Sequence, residues 1–146
     1  MNSVQFGAYR ALTMYVQKAF HDLQVLHHQV IGATFYDVHP MLAECYDCIG
    51  GFYDSLVENG MTLGGEFVEP TIADVLEAYP DCVQATPIYG QAAAMLARDI
   101  TTTTLKMMQD AEEGLPGDMV SELQGMESKL RTMLYKQSQF LSKVNG

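Results

Sequence analysis

Among the side chains between residues 27 and 58 that could hold a metal cation, four stand out: His27 and His39, whose neutral imidazoles offer nitrogen, and Asp54 and Glu58, carboxylates one helical turn apart. Taken singly, each has a plainer reading. A D-x-x-x-E pair is commonly a solvated helix face, and a histidine near a helix end is commonly a cap or a surface residue. They become a site only if the elements that carry them bring them together.

The chain has 146 residues, enough for one domain with a true core that removes about 70% of the unfolded chain's surface from water. Apolar residues make up 48% and charged residues 18%, so neither disorder nor a fibrous repeat fits. No apolar run approaches a membrane span and no export signal opens the chain, so a soluble, cytoplasmic protein is expected. Eight Lys and Arg against eighteen Asp and Glu give a net charge of −10, and only Arg10 and Lys18 are basic before Arg98. Binding a phosphate backbone needs clustered cations, so nucleic acid is disfavoured, whereas metal cations are admissible. Cys45, Cys48 and Cys82 are read as reduced thiols. Cys45 and Cys48 form a C-x-x-C, but three cysteines cannot build a four-thiolate site, and the pair lies inside an apolar periodic segment rather than at a helix N-terminus.

From Val4 to Val30 the apolar residues Val4, Ala8, Ala11, Leu12, Tyr15, Ala19, Leu23 and Leu26 recur at helical spacing, and Gly32 stops the run. Asp37 is expected to cap a second helix with Pro40 in its first turn, and Met41, Leu42, Cys45, Ile49, Phe52, Leu56 and Val57 form its stripe. Residues 61–65 end it. Thr71 with Asp74 predicts a capping box for a short helix closed by Pro80. After Pro87 a long helix runs to Glu113 across the β-branched residues Thr101 to Thr104, for which the sequence offers no functional reason. Leu115-Pro116-Gly117 turns the chain, and Asp118 is expected to cap the last helix. The ten methionines read as core filler. The expected fold is all-α, a four-helix bundle of ferritin-like topology, with a short extra helix in the long crossover between helices two and three.

The stretch from His27 through Gly32 and Phe35 to His39, followed by Tyr46, Asp54, Glu58 and Leu63-Gly64-Gly65, resembles the Dps-like mini-ferritins. Their pattern is H-W-N-V-x-G-x-x-F-x-x-x-H, then D, Y, D-x-x-x-E and a closing x-G-G. The resemblance is tight over residues 27–65 and looser beyond, where Lys136, Phe140 and Leu141 match part of E-K-x-x-W-x-L. It implies a hollow homo-dodecamer that oxidises ferrous iron, preferring peroxide to oxygen, and stores ferric mineral against oxidative stress. The ferroxidase site would be shared by two subunits, with His27 and His39 from one and Asp54 and Glu58 from the other. That mixed N/O set suits ferrous iron, with zinc or manganese as competitors.

Geometry agrees with the sharing. His39 and Glu58 are 19 residues apart on one helix, about 28 Å at 1.5 Å per residue. Positions 39, 54 and 58 nonetheless fall within roughly one 100° stripe, so an antiparallel copy would set His39 beside the partner's carboxylates. The helices would cross near Cys48 and Ile49, where Gly50 and Gly51 are expected to permit close approach of the two backbones. Two family positions differ: Ala43 stands for an Asp one turn after the second histidine, and His28 for the Trp after the first. Asp47, a further turn along the stripe, is a candidate substitute ligand. Asp118 and Glu122 are candidates for an iron entry pore. DNA protection, another role in the family, often relies on Lys- and Arg-rich tails, and the C-terminal Ser142 to Gly146 carries one cation, so DNA is not an expected partner.

Overall fold

The computed structural model describes residues 3–63 and 67–145, with side chains for 7–63 and 67–143. Its elements are α1 (Ser3–Gln29), β1 (Val30–Ile31), α2 (Phe35–Met61), α3 (Ile72–Ala78), β2 (Ile88–Tyr89), α4 (Gly90–Ala111) and α5 (Gly117–Asn145). The four long helices pack as a bundle, α1 on α2 and α4, and α5 on α4 and α2, with α3 lying on α1. The crossover from α2 to α4 carries α3, as the apolar pattern predicts. No described helix is long and apolar enough to cross a membrane.

On α1 the buried line runs through Tyr9, Leu12, Val16, Ala19, Leu23 and Leu26, a three- and four-residue spacing that keeps one face on the core. Tyr9 and Val16 join that line, while Ala8, Ala11 and Tyr15 sit at its edges. The Tyr9 hydroxyl donates to the Leu56 carbonyl of α2 at 2.6 Å, which satisfies the polar end of an otherwise apolar side chain. Gly32, at φ +100°, supplies the left-handed residue that the tight turn from α1 into α2 requires.

Helix α2 starts three residues earlier than expected. Thr34 is its N-cap, without a side-chain cap bond, and Asp37 lies in the first turn, where a carboxylate favours the positive end of the helix dipole. Pro40 consequently falls in the second turn rather than the first, and its missing N–H leaves the Tyr36 carbonyl without an intrahelical partner. Tyr36 is 87% exposed, so water is available to that carbonyl.

Two-residue strands β1 and β2 pair in parallel, Val30 with Ile88 and Ile31 with Tyr89, and fasten the end of the crossover to the α1–α2 turn. No period is legible in two residues, so sequence patterning missed them. The capping box of α3 is present: Thr71 Oγ1 accepts from the Asp74 N–H at 3.2 Å, and the Asp74 carboxylate accepts from the Thr71 N–H at 2.9 Å. Arg10 of α1 reaches the same carboxylate at 3.1 Å. Asp118 is not the cap of α5; the helix begins at Gly117, and Asp118 occupies its first turn.

Thr101 and Thr104 face the core, their hydroxyls donating to the carbonyls four residues back, Ala97 at 2.8 Å and Ile100 at 2.7 Å. Back-bonding lets a polar β-branched residue be buried in a helix. Gln137 of α5 donates to the Thr101 hydroxyl at 3.0 Å and to the Cys45 sulfur at 3.4 Å, a buried polar node joining α2, α4 and α5. Of the methionines, Met108, Met119 and Met126 are buried, whereas Met61 and Met95 are exposed.

Candidate metal centre

The last turn of α1 and the first turns of α2 are antiparallel neighbours, which brings His27 against His39. Their rings stack with centroids 3.7 Å apart and planes 18° off parallel. Each Nδ1 lies 2.8 Å from the other residue's backbone carbonyl oxygen. A carbonyl can only accept, so both Nδ1 atoms carry the proton, and in the neutral rings both Nε2 atoms keep a free lone pair. That is the tautomer and orientation control that backbone acceptors give to metal-binding histidines. Burial holds His27 below the ordinary histidine pKa; its bond to the His39 carbonyl pulls the other way, while the nearby His39 and His28 rings lower it further. Phe35 stacks on the far side of His39 at 4.6 Å, and Tyr46 meets His27 edge-on at 5.2 Å. The ring pair therefore sits in an aromatic slot.

Asp47, Asp54 and Glu58 are exposed on α2. Its core side carries Val38, Leu42, Cys45, Ile49, Phe52, Leu56 and Gly60. At 100° per residue the three carboxylates lie on the opposite side, on one stripe with Ala43. Of these carboxylates, Asp47 is the one whose charge acts on His27. Asp54 and Glu58 lie farther along the helix, and among the described residues no three His, Cys, Asp or Glu side chains of one chain gather closely enough to hold a metal ion.

No protein-family model and no curated protein matches the sequence. Solved structures do. The chain is similar to Dps92 from Deinococcus radiodurans, with a TM-score of 0.83 and 16% identity over 94% of this chain and 85% of that one. It is similar to CAIP from Helicobacter cinaedi, with a TM-score of 0.82 and 16% identity over 94% of this chain and 99% of that one. It is similar to Dps from Staphylococcus aureus, with a TM-score of 0.79 and 23% identity over 94% of each chain. The fold is that of the Dps proteins.

Within this Dps-like bundle one sequence expectation changes. Gly50 does not lie open for a second backbone: a Cβ there would stand 2.9 Å from the Phe20 ring, so Gly50 is small because α1 of its own chain packs on it. Its neighbour Gly51 meets nothing within 4 Å and remains open. The family motif's closing Gly64 and Gly65 lie outside the described residues, next to a half-buried Leu63.

Beyond residue 65, Lys136 reaches Glu44 at 3.5 Å, Phe140 packs on the core and Leu141 is buried. All three cysteines are free. Burial pushes the Cys45 thiol up to about 11 and raises that of Cys48, so neither is an activated thiolate. Sequence reasoning missed the reciprocal bonding of the histidines. The quoted motif already held its signal, since Gly32 and Phe35 between the two histidines are what fold one ring onto the other.

Proposed function

We propose that this chain is a Dps-like mini-ferritin that binds ferrous iron between two copies, oxidises it and stores the ferric product in a hollow homo-oligomeric shell. The observation that carries the reading is the His27–His39 pair. Two imidazoles fixed as Nδ1–H tautomers, aimed by each other's backbone and boxed by Phe35 and Tyr46, form half of a mixed nitrogen and oxygen ligand set suited to ferrous iron, with zinc or manganese as competitors.

The other half comes from Asp54 and Glu58 of a second copy, whose α2 runs antiparallel to the first; Asp47 adds a carboxylate close to His27. Hydrogen peroxide takes one electron from each of two ferrous ions and, with two protons, leaves as water. The acidic chain, at −10 net, favours collection of cations.

The test is to add ferrous iron and then peroxide anaerobically to the purified protein and follow ferric absorbance against a protein-free control. A rate well above the control is expected, and light scattering should give an assembly larger than a dimer. A stable 16.2 kDa monomer would remove the shared site. The second reading is a Dps-like shell with weak or lost ferroxidase activity, and Ala43 favours it, since the family's carboxylate is missing there. An assembled shell that oxidises iron no faster than the control would select that reading.

A further inference from the structure

At the other end of the α4–α5 hairpin, two carboxylates meet that the iron chemistry does not use. Glu127 faces inward from α5 and is only 4% exposed. Glu112 stands at the C-terminal end of α4. One side-chain oxygen of each is fully buried without a hydrogen-bond donor among the described residues, and the two side chains lie within hydrogen-bonding reach of each other. Two ionised carboxylates cannot share a dry contact: each would keep its desolvation cost and add mutual repulsion. One proton between them turns the repulsion into an O–H···O⁻ hydrogen bond, among the shorter and stronger kinds.

We propose that Glu112 and Glu127 share one proton in the folded protein and thereby latch the end of α4 onto α5, a contact that weakens as alkaline pH removes that proton. Burial first, then the Glu112 charge and its hydrogen bond, raise the Glu127 carboxyl above the ordinary glutamate range, while Arg131, one turn along α5, acts in the opposite direction.

Of the charged groups on the packed elements, Glu112 and Arg131 are those whose charges act on Glu127. Lys106 and Asp110 of α4 pair with each other in solvent at 3.3 Å. Glu122 of α5 accepts from Asn59 of α2, and Glu44 of α2 takes Lys136. Because the folded state holds a proton that the unfolded chain releases near pH 4.3, the latch contributes fully below that pH and is lost as pH rises through the raised native value.

Glu127→Gln keeps the shape and supplies a permanent N–H donor to Glu112. Thermal unfolding of the assembled protein from pH 5 to pH 9 is the readout, with Glu113→Gln, an exposed neighbour, as the control for removing one charge. E127Q should gain stability over wild type with rising pH, on the order of 3 °C at the alkaline end, and E113Q should not. Glu112→Gln should reproduce the effect if E127Q fails to assemble. Wild type should also show, at pH 5, the infrared carbonyl stretch of a buried protonated carboxyl that E127Q lacks. Parallel pH curves for wild type and E127Q would overturn the latch. So would a missing carboxyl band, or calcium that raises the wild-type midpoint but not that of E127Q, which would put a cation in place of the proton.

Discussion

The two ends of α2 carry the two halves of the candidate site in opposite conditions. At the N-terminal end, His39 is held by a hydrogen bond to α1, a stacked imidazole and a stacked phenyl ring. At the C-terminal end, Asp54 and Glu58 are exposed, and among the described residues no hydrogen bond or ion pair fixes either. One half is organised by its own chain, and in the proposed shared site the other would be organised by a second copy. Fixing two rotamer-rich carboxylates costs entropy that only a bound cation or a docked copy would offset.

The comparison breaks most directly by deleting each half. The Asp54→Ala, Glu58→Ala double variant should lose iron binding and oxidation by about tenfold or more, while helical content and unfolding midpoint stay near wild type, because exposed unpartnered side chains contribute little to stability. His27→Ala should lose iron binding as well. It should also cost stability, on the order of 1–2 kcal/mol, since it removes the stack and leaves the His39 carbonyl without its donor. Circular dichroism with urea titration, beside an iron-binding isotherm, separates the two. A double variant that still binds and oxidises iron at the wild-type rate would move the site elsewhere.

Next in size is the contrast between adjacent glycines midway along α2. Gly50→Ala forces a methyl group into the Phe20 ring 2.9 Å away, and overpacking of this kind costs roughly 1–3 kcal/mol. Gly51→Ala meets open space, so helix propensity alone should stabilise an isolated chain by about 0.5–1 kcal/mol. If α2 faces a second copy there, the same methyl should weaken assembly in analytical ultracentrifugation. A Gly51 variant that is more stable and fully assembled would place the crossing away from residue 51.

These glycines also mark where the sequence stops being legible. The bundle, the crossover helix and the box at Thr71 and Asp74 follow from periodicity and capping, which are local along the chain. The His27–His39 pairing was half legible, in that spacing and a turn glycine put both at one end of a helix pair. Whether Gly50 serves its own chain or a partner depends on Phe20, thirty residues away. Such a contact leaves no periodic trace. The two-residue strands are silent for the same reason, and the start of α2 was misplaced because Thr34 caps it without a side-chain bond, so nothing in its chemistry outranked Asp37.

A smaller effect is expected from pH. Burial lowers the native His27 pKa, so as pH falls below about 6.5 the unfolded chain takes a proton before the folded one does. Stability should therefore be flat above that pH and decline as pH drops toward the lowered native value, the opposite slope to the Glu112–Glu127 latch. Urea unfolding of wild type and His27→Gln at pH 7.5 and pH 5 checks the sign. The variant should lose less on acidification, and an equal loss in both would mean that another group carries the acid sensitivity.

The finest distinction between the two ends of α2 lies at Ala43, half-buried one turn beyond His39 and on the same stripe as Asp54 and Glu58. Ala43→Asp adds an anionic oxygen donor to the organised half of the site, which should tighten ferrous binding or speed oxidation, since hard and borderline divalent cations favour oxygen ligands. Without metal, the added carboxylate would stand near Asp47 and close to the partner's Asp54 and Glu58, so repulsion and partial desolvation should lower apo stability at neutral pH. Iron titration and thermal unfolding of the metal-free protein should thus move in opposite directions. A change in stability alone would mean that position 43 faces the assembly but not the iron. No change in either would mean that it faces neither, and α2 would then meet its partner in a different register from the one that joins His39 to Asp54 and Glu58.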